Sequence, residues 1–315
     1  MTEFPDVAAA HERVVPFLHR TPVMTSASLD AASGAQLFFK CENFQKGGAF
    51  KARGAVNAVF SLDDATAARG VATHSSGNHG LSLCYAAARR GIPAWVVMPE
   101  NAPKAKAAAV KGYGGEIVTC APSTSAREAT LADVIVRTGA EMVHPYDDDR
   151  VIAGQGTCAK ELIEDMPDLD ALIAPIGGGG LISGTILARD GLAPGADVYG
   201  GEPQQADDAW RSLKSGALAP ADDSPKTIAD GLKAPLKDRT WGIIRAGVAD
   251  ILPVSEDDIV AAMMLVWQRM KIIIEPSSAV AVAAVLVNRP MFEGKRVGVI
   301  LTGGNVDLDG LPWMT

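Results

Sequence analysis

The sequence predicts an α/β protein of mostly parallel, twisted sheets flanked by helices. Short apolar runs alternate with longer helical patterns along the 315 residues, which is typical of βαβ units. Residues 70–145 hold a compact block of four strand–helix units, so we expect a small domain here, inserted into a large domain of residues 1–69 and 146–315. A cleft between two such lobes is where α/β proteins bind small molecules.

The predicted strands are separated by helices with recognisable starts. Ser125 with Glu128, and Ser255 with Asp258, match the Ser-x-x-acid pattern, in which side chains satisfy free N–H groups of a first helical turn. The strand candidates, in chain order, are residues 36–40, 70–74, 94–98, 116–120, 141–144, 171–176, 197–202 and 296–301.

Composition narrows the class of function. The net charge is −8 and the pI about 5.2, so the basic surface that binds nucleic-acid phosphates is not expected, and a small molecule is the expected partner. The first twenty residues contain both acidic and basic side chains, which is not typical of a signal or transit peptide. The longest apolar run, residues 279–287, is too short to span a bilayer. Four dispersed cysteines suit reduced thiols in a cytoplasmic protein.

Glycine is in excess, with 32 of 315 residues, or about 10% against a usual 7%. Four glycines, Gly177, Gly178, Gly179 and Gly180, follow a predicted buried strand and open a helix. Their N–H groups are unobstructed, which favours a phosphate site at the helix N-terminus. A dinucleotide site is the alternative, because Gly178-x-Gly180-x-x-Ser183 is near GxGxxG and Glu202 ends the next strand.

Three further segments carry polar chemistry. The loop Ser75-Ser76-Gly77-Asn78-His79-Gly80 opens a helix after a strand and offers donors suited to a carboxylate. Lys51 opens a helix of small residues after a flexible turn; partial burial would make its amine neutral and nucleophilic, as Schiff-base chemistry requires. Thr302 ends the last predicted strand. Its hydroxyl could form a hydrogen bond with a ring nitrogen, or the Thr-Gly-Gly sequence could simply form a turn.

A lysine amine, a phosphate loop, a carboxylate loop and a hydroxyl for a ring nitrogen together meet the needs of pyridoxal 5′-phosphate with an amino acid. The sequence also resembles the fold-type II pyridoxal-phosphate enzymes, in particular the serine/threonine dehydratase, serine racemase and hydroxyaspartate dehydratase group. The resemblance covers nearly the whole chain and rests on FKARGA at 50–55, SSGNHG at 75–80, VIAGQGT at 151–157, GGGG at 177–180, EPSSAV at 275–280 and TGGNVD at 302–307.

The resemblance implies a role for each matching residue. Lys51 is expected to hold the cofactor and to abstract the substrate's Cα proton, and Ser76 to be the second base that racemases need. The cofactor-binding residues it implies are Phe50, Lys51, Asn78, the four glycines 177–180, Gly231, Glu275 and Thr302. A hydroxyl at Thr302 does not keep the pyridine nitrogen protonated as an acid would, so elimination or proton transfer is expected rather than transamination.

The resemblance also implies a divalent cation, Mg²⁺, Mn²⁺ or Ca²⁺, held by Glu202, the Ala206 carbonyl and Asp208, with oxygen ligands that suit these ions. The implied assembly is a homodimer. The chain stops shortly after TGGNVD, so a C-terminal regulatory domain is not expected.

The predicted reaction is β-elimination from a β-hydroxy α-amino acid. The stretch 144–162 and the ending GNVDLDGLPW look most like the hydroxyaspartate dehydratases, which makes 3-hydroxyaspartate the first prediction, giving iminosuccinate or oxaloacetate and ammonia. Threonine or serine dehydration, and serine or aspartate racemisation, are the alternatives; a nucleotide-dependent oxidoreductase and an amino-acid sensor are further ones. The predicted substrate-binding residues are Ser75, Ser76, Gly77, Asn78, His79, Tyr113, Arg127 and His144, with Lys46 and Tyr146 as further candidates near the pocket.

Overall fold

Two mostly parallel β-sheets organise the computed structural model, which describes residues 2–75, 77–102, 104–222 and 224–314. The strands are β1 (Val23–Met24), β2 (Gln36–Cys41), β3 (Val71–His74), β4 (Ala94–Pro99), β5 (Glu116–Cys120), β6 (Glu141–Met142), β7 (Ala171–Pro175), β8 (Asp197–Pro203), β9 (Asp250–Val254) and β10 (Arg296–Leu301).

Helices connect and cover these strands. They are α1 (Phe4–Val14), α2 (Ala27–Ser33), α3 (Lys51–Phe60), α4 (Asp64–Ala68), α5 (Asn78–Arg90), α6 (Lys104–Gly112), α7 (Thr124–Thr138), α8 (Asp149–Asp165), α9 (Gly180–Leu192), α10 (Asp208–Ser215), α11 (Asp238–Gly247), α12 (Glu256–Met270), α13 (Pro276–Val287) and α14 (Arg289–Phe292). Short 3-10 turns lie at Glu42–Phe44, Lys46–Gly48, Gln204–Ala206 and Asp230–Leu232.

The larger sheet has the strand order β1-β2-β10-β7-β8-β9. Its neighbours pair in parallel except β1, which is antiparallel to β2. Apolar residues cover both faces, with α12 and α13 in one buried cluster and α8, α9 and α11 in the other. Helix α13 is apolar all round because it is enclosed on all sides, with nine consecutive buried residues from Ser277 to Val285.

The smaller sheet has the order β5-β4-β3-β6, and its strands are all parallel. Helices α3 and α5 share one apolar cluster with it, and α7 packs on the opposite face. Its strands fall within residues 71–142, whereas α3 precedes them and also packs against α8. The division into domains 1–69 with 146–315 and 70–145 stays a prediction.

A buried ion network fixes the N-terminal half of α3. Arg53 is fully buried and donates to Glu42 and Glu161 at 2.7–2.9 Å. The Lys40 ammonium donates to the same Glu161 at 2.7 Å. Because buried charges are stable only when paired, this network locks α3 between β2 and α8. Lys51, the first residue of α3, is thereby held in a fixed position.

The predicted elements correspond closely to those observed, and the Ser255–Asp258 capping box is confirmed. Two strands and one helix cap differ from the prediction. Strand β1 was not predicted because it is two residues long, and β9 was not predicted because it contains a proline. The Ser125–Glu128 cap is wrong: Ser123 caps α7 and accepts a hydrogen bond from the Ala126 N–H at 3.1 Å. No helix in the described part of the chain is long and apolar enough to cross a membrane.

Candidate active site

Lys51 lies at the first position of α3, beside the carboxyl end of β10. Its Nζ donates to the Pro145 carbonyl at 2.9 Å and lies 5.1 Å from the centroid of the Phe50 ring. Burial lowers the pKa of Lys51 to about 8, although the negative charge of Glu275 acts in the opposite direction. A substantial fraction of this amine is therefore neutral near physiological pH.

The loop between β3 and α5 brings polar groups to the same region. The Ser75 hydroxyl accepts from the Gly77 N–H at 3.2 Å, and Gly77 is the N-cap of α5. The Nε2 atom of buried His79 lies 3.1 Å from the Val143 carbonyl, and its Nδ1 has no partner within the described part of the chain. Burial, and then the charge of Lys51, lower the pKa of His79 to about 3, so the imidazole is neutral. Ser76, the predicted second base, lies outside the described residues.

Asn78, Glu275 and Asn305 form a hydrogen-bonded set on one side of Lys51. Asn78 Nδ2 donates to both Glu275 oxygens at 3.1 and 3.2 Å. Asn305 donates from Nδ2 to Asn78 Oδ1 at 3.0 Å and to the Gly47 carbonyl at 2.7 Å, and from its backbone to Glu275 at 3.2 Å. Asn78 and Glu275 were predicted to bind the cofactor. Asn305 lies within the TGGNVD motif but was not predicted as a site residue.

The tetraglycine loop, residues 177–180, joins β7 to α9. Gly179 has φ +86°, a left-handed conformation that favours glycine. A Cβ on Gly178 would lie 2.4 Å from the Tyr146 ring. The amides of Gly177, Gly178 and Gly179 donate no hydrogen bond within the described residues, which leaves them for an anion at the helix N-terminus.

Gly231 and Thr302 complete the predicted cofactor-binding set. The Gly231 N–H donates to Ser277 Oγ at 3.0 Å. Thr302, directly after β10, accepts the Phe50 N–H on its carbonyl at 2.9 Å, which places Thr302 near Lys51. Its hydroxyl is buried and has no hydrogen-bond partner among the described residues. A buried orphaned hydroxyl is costly, and a ring nitrogen at this point would satisfy it.

The other predicted substrate residues take different places. His144 lies one residue before Pro145, and its ring meets Tyr146 and His74 edge-on at 4.6 and 5.9 Å between centroids. Burial, and then the charge of Arg127, lower the pKa of His74, so the Arg127 guanidinium also lies near this cluster. Tyr113 lies against Tyr85, with ring centroids 5.6 Å apart; no contact within the described residues joins it to Lys51.

The predicted cation ligands lie at the end of β8 and the start of α10. The Glu202 carboxylate is 1% exposed and accepts from the N–H groups of Ala209 and Trp210 at 3.0 and 2.8 Å. Asp208 accepts from the Leu236 N–H at 3.1 Å. Burial raises the pKa of both carboxyls, and the negative charges of neighbouring acidic side chains raise it further. No group of three or more His, Cys, Asp or Glu side chains able to hold a metal occurs in the described part of the chain, so a cation here would need backbone or water ligands as well.

These features define one class of protein: an α/β enzyme with a lysine-anchored, phosphate-bearing aromatic cofactor. The orphaned Thr302 hydroxyl, the free amides of the tetraglycine loop and the partly neutral Lys51 amine fit the ring nitrogen, the phosphate and the aldehyde of pyridoxal phosphate.

The comparisons with known proteins agree. The chain belongs to the family described as pyridoxal-phosphate dependent enzymes, whose model matches residues 14–303. This match confirms the predicted family and replaces the dinucleotide alternative.

Individual relatives are similar over almost their full length. The beta-hydroxyaspartate dehydratase of Paracoccus denitrificans (strain Pd 1222) is 61% identical over 310 residues, covering 98% of both chains. The serine racemase of Dictyostelium discoideum is 46% identical over 309 residues, 97% of this chain and 95% of that protein. Its crystal structure superposes with a TM-score of 0.94, covering 98% of this chain and 99% of that one. A threonine deaminase from T.th. is 40% identical, with a TM-score of 0.92, covering 97% of this chain and 99% of that one. The predicted fold class is thereby confirmed.

Proposed function

We propose that this protein is a pyridoxal-phosphate-dependent lyase that eliminates water from 3-hydroxyaspartate. Loss of water gives iminosuccinate, and its hydrolysis gives oxaloacetate and ammonia. The observation that carries the proposal is the 61% identity with a beta-hydroxyaspartate dehydratase over 98% of both chains. Serine and threonine, the substrates that the other relatives' names suggest, are the competitors that an experiment must exclude.

Lys51 is the residue we assign to proton transfer. Pyridoxal phosphate, when bound, withdraws electrons from the substrate's Cα and so makes the Cα proton removable. With a pKa of about 8, the Lys51 amine is poised near working pH to accept that proton, as a general base should be. The Pro145 carbonyl, 2.9 Å from Nζ, accepts one N–H and so restricts the orientations open to the nitrogen lone pair.

Three other elements hold the reactants in place. The free amides of residues 177–179 would bind the cofactor phosphate, and the Asn78–Glu275–Asn305 set would lie along its ring. The N-terminus of α5, with Ser75, Gly77 and Asn78, would bind the substrate's α-carboxylate. Because burial lowers the pKa of His79 to about 3, its imidazole is neutral and adds no charge to this carboxylate site.

A substrate panel tests the proposal. Release of keto acid from each 3-hydroxyaspartate isomer, serine and threonine should be measured on the purified protein with pyridoxal phosphate. We expect one hydroxyaspartate isomer to have the highest kcat/KM. Faster turnover of serine or threonine would contradict the proposal. Lys51→Ala should remove both activity and the visible absorption band of the bound cofactor, whereas Lys233→Ala, which alters an exposed lysine, should change neither.

We further propose that a divalent cation binds Glu202, Asp208 and the Ala206 carbonyl. Support comes from two buried carboxylates that approach each other at a strand end, where a cation would offset their repulsion. Removal of metal with a chelator should lower the Tm, and Mg²⁺, Mn²⁺ or Ca²⁺ should restore it. Asp207→Asn is the control variant. Asp207 pairs with Arg211 at 2.8 Å, so this substitution should leave the response of the Tm to the cation unchanged. An unchanged Tm after chelation would refute the cation.

A homodimer in the cytoplasm completes the proposal. All four cysteines are free thiols, which suits a reducing compartment. Sedimentation analysis of the purified protein tests the dimer; a monomer at micromolar concentration would contradict it.

A further inference from the structure

A cavity of 200 Å³ opens beside the Lys51 site, between the smaller sheet and the segment that leads into α11. Its apolar walls come mainly from α7, and its polar groups belong to His74, Glu128, His144 and Lys237. The cavity is close to the reacting amine, because His144 precedes Pro145, whose carbonyl accepts from Lys51. Burial lowers the pKa of His144 most, and the charges of Lys237 and Lys51 add to this effect, which also places Lys51 near the cavity.

Within the part of the chain that the structure describes, Lys237 contacts an imidazole and not a carboxylate. Lys40, Lys160 and Lys214 all pair with carboxylates. The half-buried Lys237 has no carboxylate within 4.0 Å among the described residues; its Nζ instead lies 3.4 Å from His144 Nε2. Long cationic side chains that are drawn inward usually have an anionic partner.

The tautomer of His144 explains what is missing between the two groups. His144 Nδ1 accepts the backbone N–H of Asp147 at 2.9 Å, so in the neutral imidazole the proton is on Nε2. The ring is neutral because burial, and then the charge of Lys237, lower its pKa to about 3. Two donors, the Lys237 ammonium and the His144 Nε2–H, therefore face each other, and the described residues place no acceptor between them. A carboxylate oxygen would accept from both.

The remaining charges near the cavity partly cancel. Glu128 is exposed on α7, and its negative charge raises the pKa of His74, whereas neighbouring Arg127 lowers it. Lys237 and His144 both line the cavity, and their donor nitrogens lie 3.4 Å apart.

We propose that Lys237 and His144 bind the distal carboxylate of a dicarboxylic β-hydroxy amino acid. Lys237 is thereby a specificity-determining residue that favours 3-hydroxyaspartate over serine and threonine, which have no second carboxylate. The proposal rests on the proposed function. It deepens that function by assigning the contact that selects a four-carbon dianion.

The experiment compares Lys237→Met, Lys237→Arg and the control Lys233→Met in the cofactor-loaded enzyme. Loss of a charge-assisted hydrogen bond corresponds to roughly 10- to 150-fold. We expect Lys237→Met to lower kcat/KM for 3-hydroxyaspartate by this factor, mainly through KM, and to change kcat/KM for serine by less than about threefold. Lys237→Arg should restore part of the loss, and Lys233→Met should resemble the wild type. Equal losses on both substrates would show a structural role and overturn the proposal.

Inhibition by non-reacting acids separates this proposal from the proposed function. Succinate and butanoate have four carbons each but two carboxylates and one, and both can be titrated against whichever substrate the enzyme accepts. Lys237→Met should weaken succinate about 10- to 150-fold and leave butanoate unchanged. Unchanged succinate inhibition refutes the Lys237 subsite even where hydroxyaspartate is the preferred substrate. Preference of the wild type for serine, with succinate inhibition that depends on Lys237, refutes the substrate assignment alone.

Discussion

The acidity of Lys51 has a direct kinetic consequence for loading of the cofactor. Only the neutral amine attacks an aldehyde. With a pKa of about 8 in place of 10.5, the neutral fraction at pH 7 is about 9% rather than about 0.03%. The apoprotein should therefore react with pyridoxal phosphate about 300-fold faster at pH 7 than it would with an ordinary lysine.

The pH profile measures this pKa. The rate of appearance of the bound cofactor's absorption band should rise about tenfold per pH unit up to pH 8 and then level off. A rate that continues to rise to pH 10 would show that burial does not lower the pKa of Lys51, and would refute the reasoning.

The direction in which Glu275 shifts the pKa of Lys51 can also be tested. Its negative charge favours the Lys51 ammonium and so raises the pKa. Glu275→Gln should therefore move the inflection to lower pH and speed loading at pH 7. Glu293→Gln is the control, because Glu293 is exposed and pairs with Arg289. A shift of the inflection to higher pH in Glu275→Gln would contradict this assignment, because removal of a negative charge cannot raise the pKa of Lys51 electrostatically.

Three further predictions concern the surroundings of Lys51. Gly179→Ala should cost about 1–3 kcal/mol of stability and weaken cofactor binding, because φ is +86° and the new Cβ would meet side chains at 2.8–2.9 Å; Gly195→Ala, where nothing lies within 4 Å, should be close to neutral in thermal unfolding and in cofactor titration. Arg53→Met should lower the free energy of unfolding by about 3–5 kcal/mol, since its buried carboxylate partners lose their cation; a loss below about 1 kcal/mol in urea would contradict this. His79 and His144 should show no titration between pH 5 and 8 by NMR, because burial lowers the pKa of each to about 3.

Features that depend on local sequence were predictable. Apolar runs located eight strands, and consecutive glycines after a strand located the tetraglycine loop, because both signals act over a few neighbouring residues. Residues 123–125 show the limit: Ser, Thr and Ser stand in a row, each able to cap a helix. The choice of Ser123 depends on where α7 begins, which packing against the smaller sheet decides.

Features that depend on distant residues were not predictable. Asn305 meets Gly47 and Asn78 across 258 and 227 residues. Lys237 meets His144 across 93 residues, and neither the residue types nor their spacing announces such a pair. The Pro145 carbonyl that orients Lys51 carries no side-chain signal at all. The candidate site was therefore predictable where glycines and motifs form it, and hidden where the two sheets bring single side chains together.

The charges around Lys51 explain how an acidic protein would accept a dianion. His74, His79 and His144 surround the site, yet burial lowers the pKa of all three, so they contribute donors and acceptors without charge. Among the cationic side chains here, Lys237 lines the cavity, and the Arg127 guanidinium lies near His74. A net charge of −8 acts at long range and is screened within about 10 Å at moderate salt, whereas a carboxylate in the cavity would meet Lys237 directly. Selectivity for a second carboxylate would thus be set by one lysine and by the neutral imidazole that faces it.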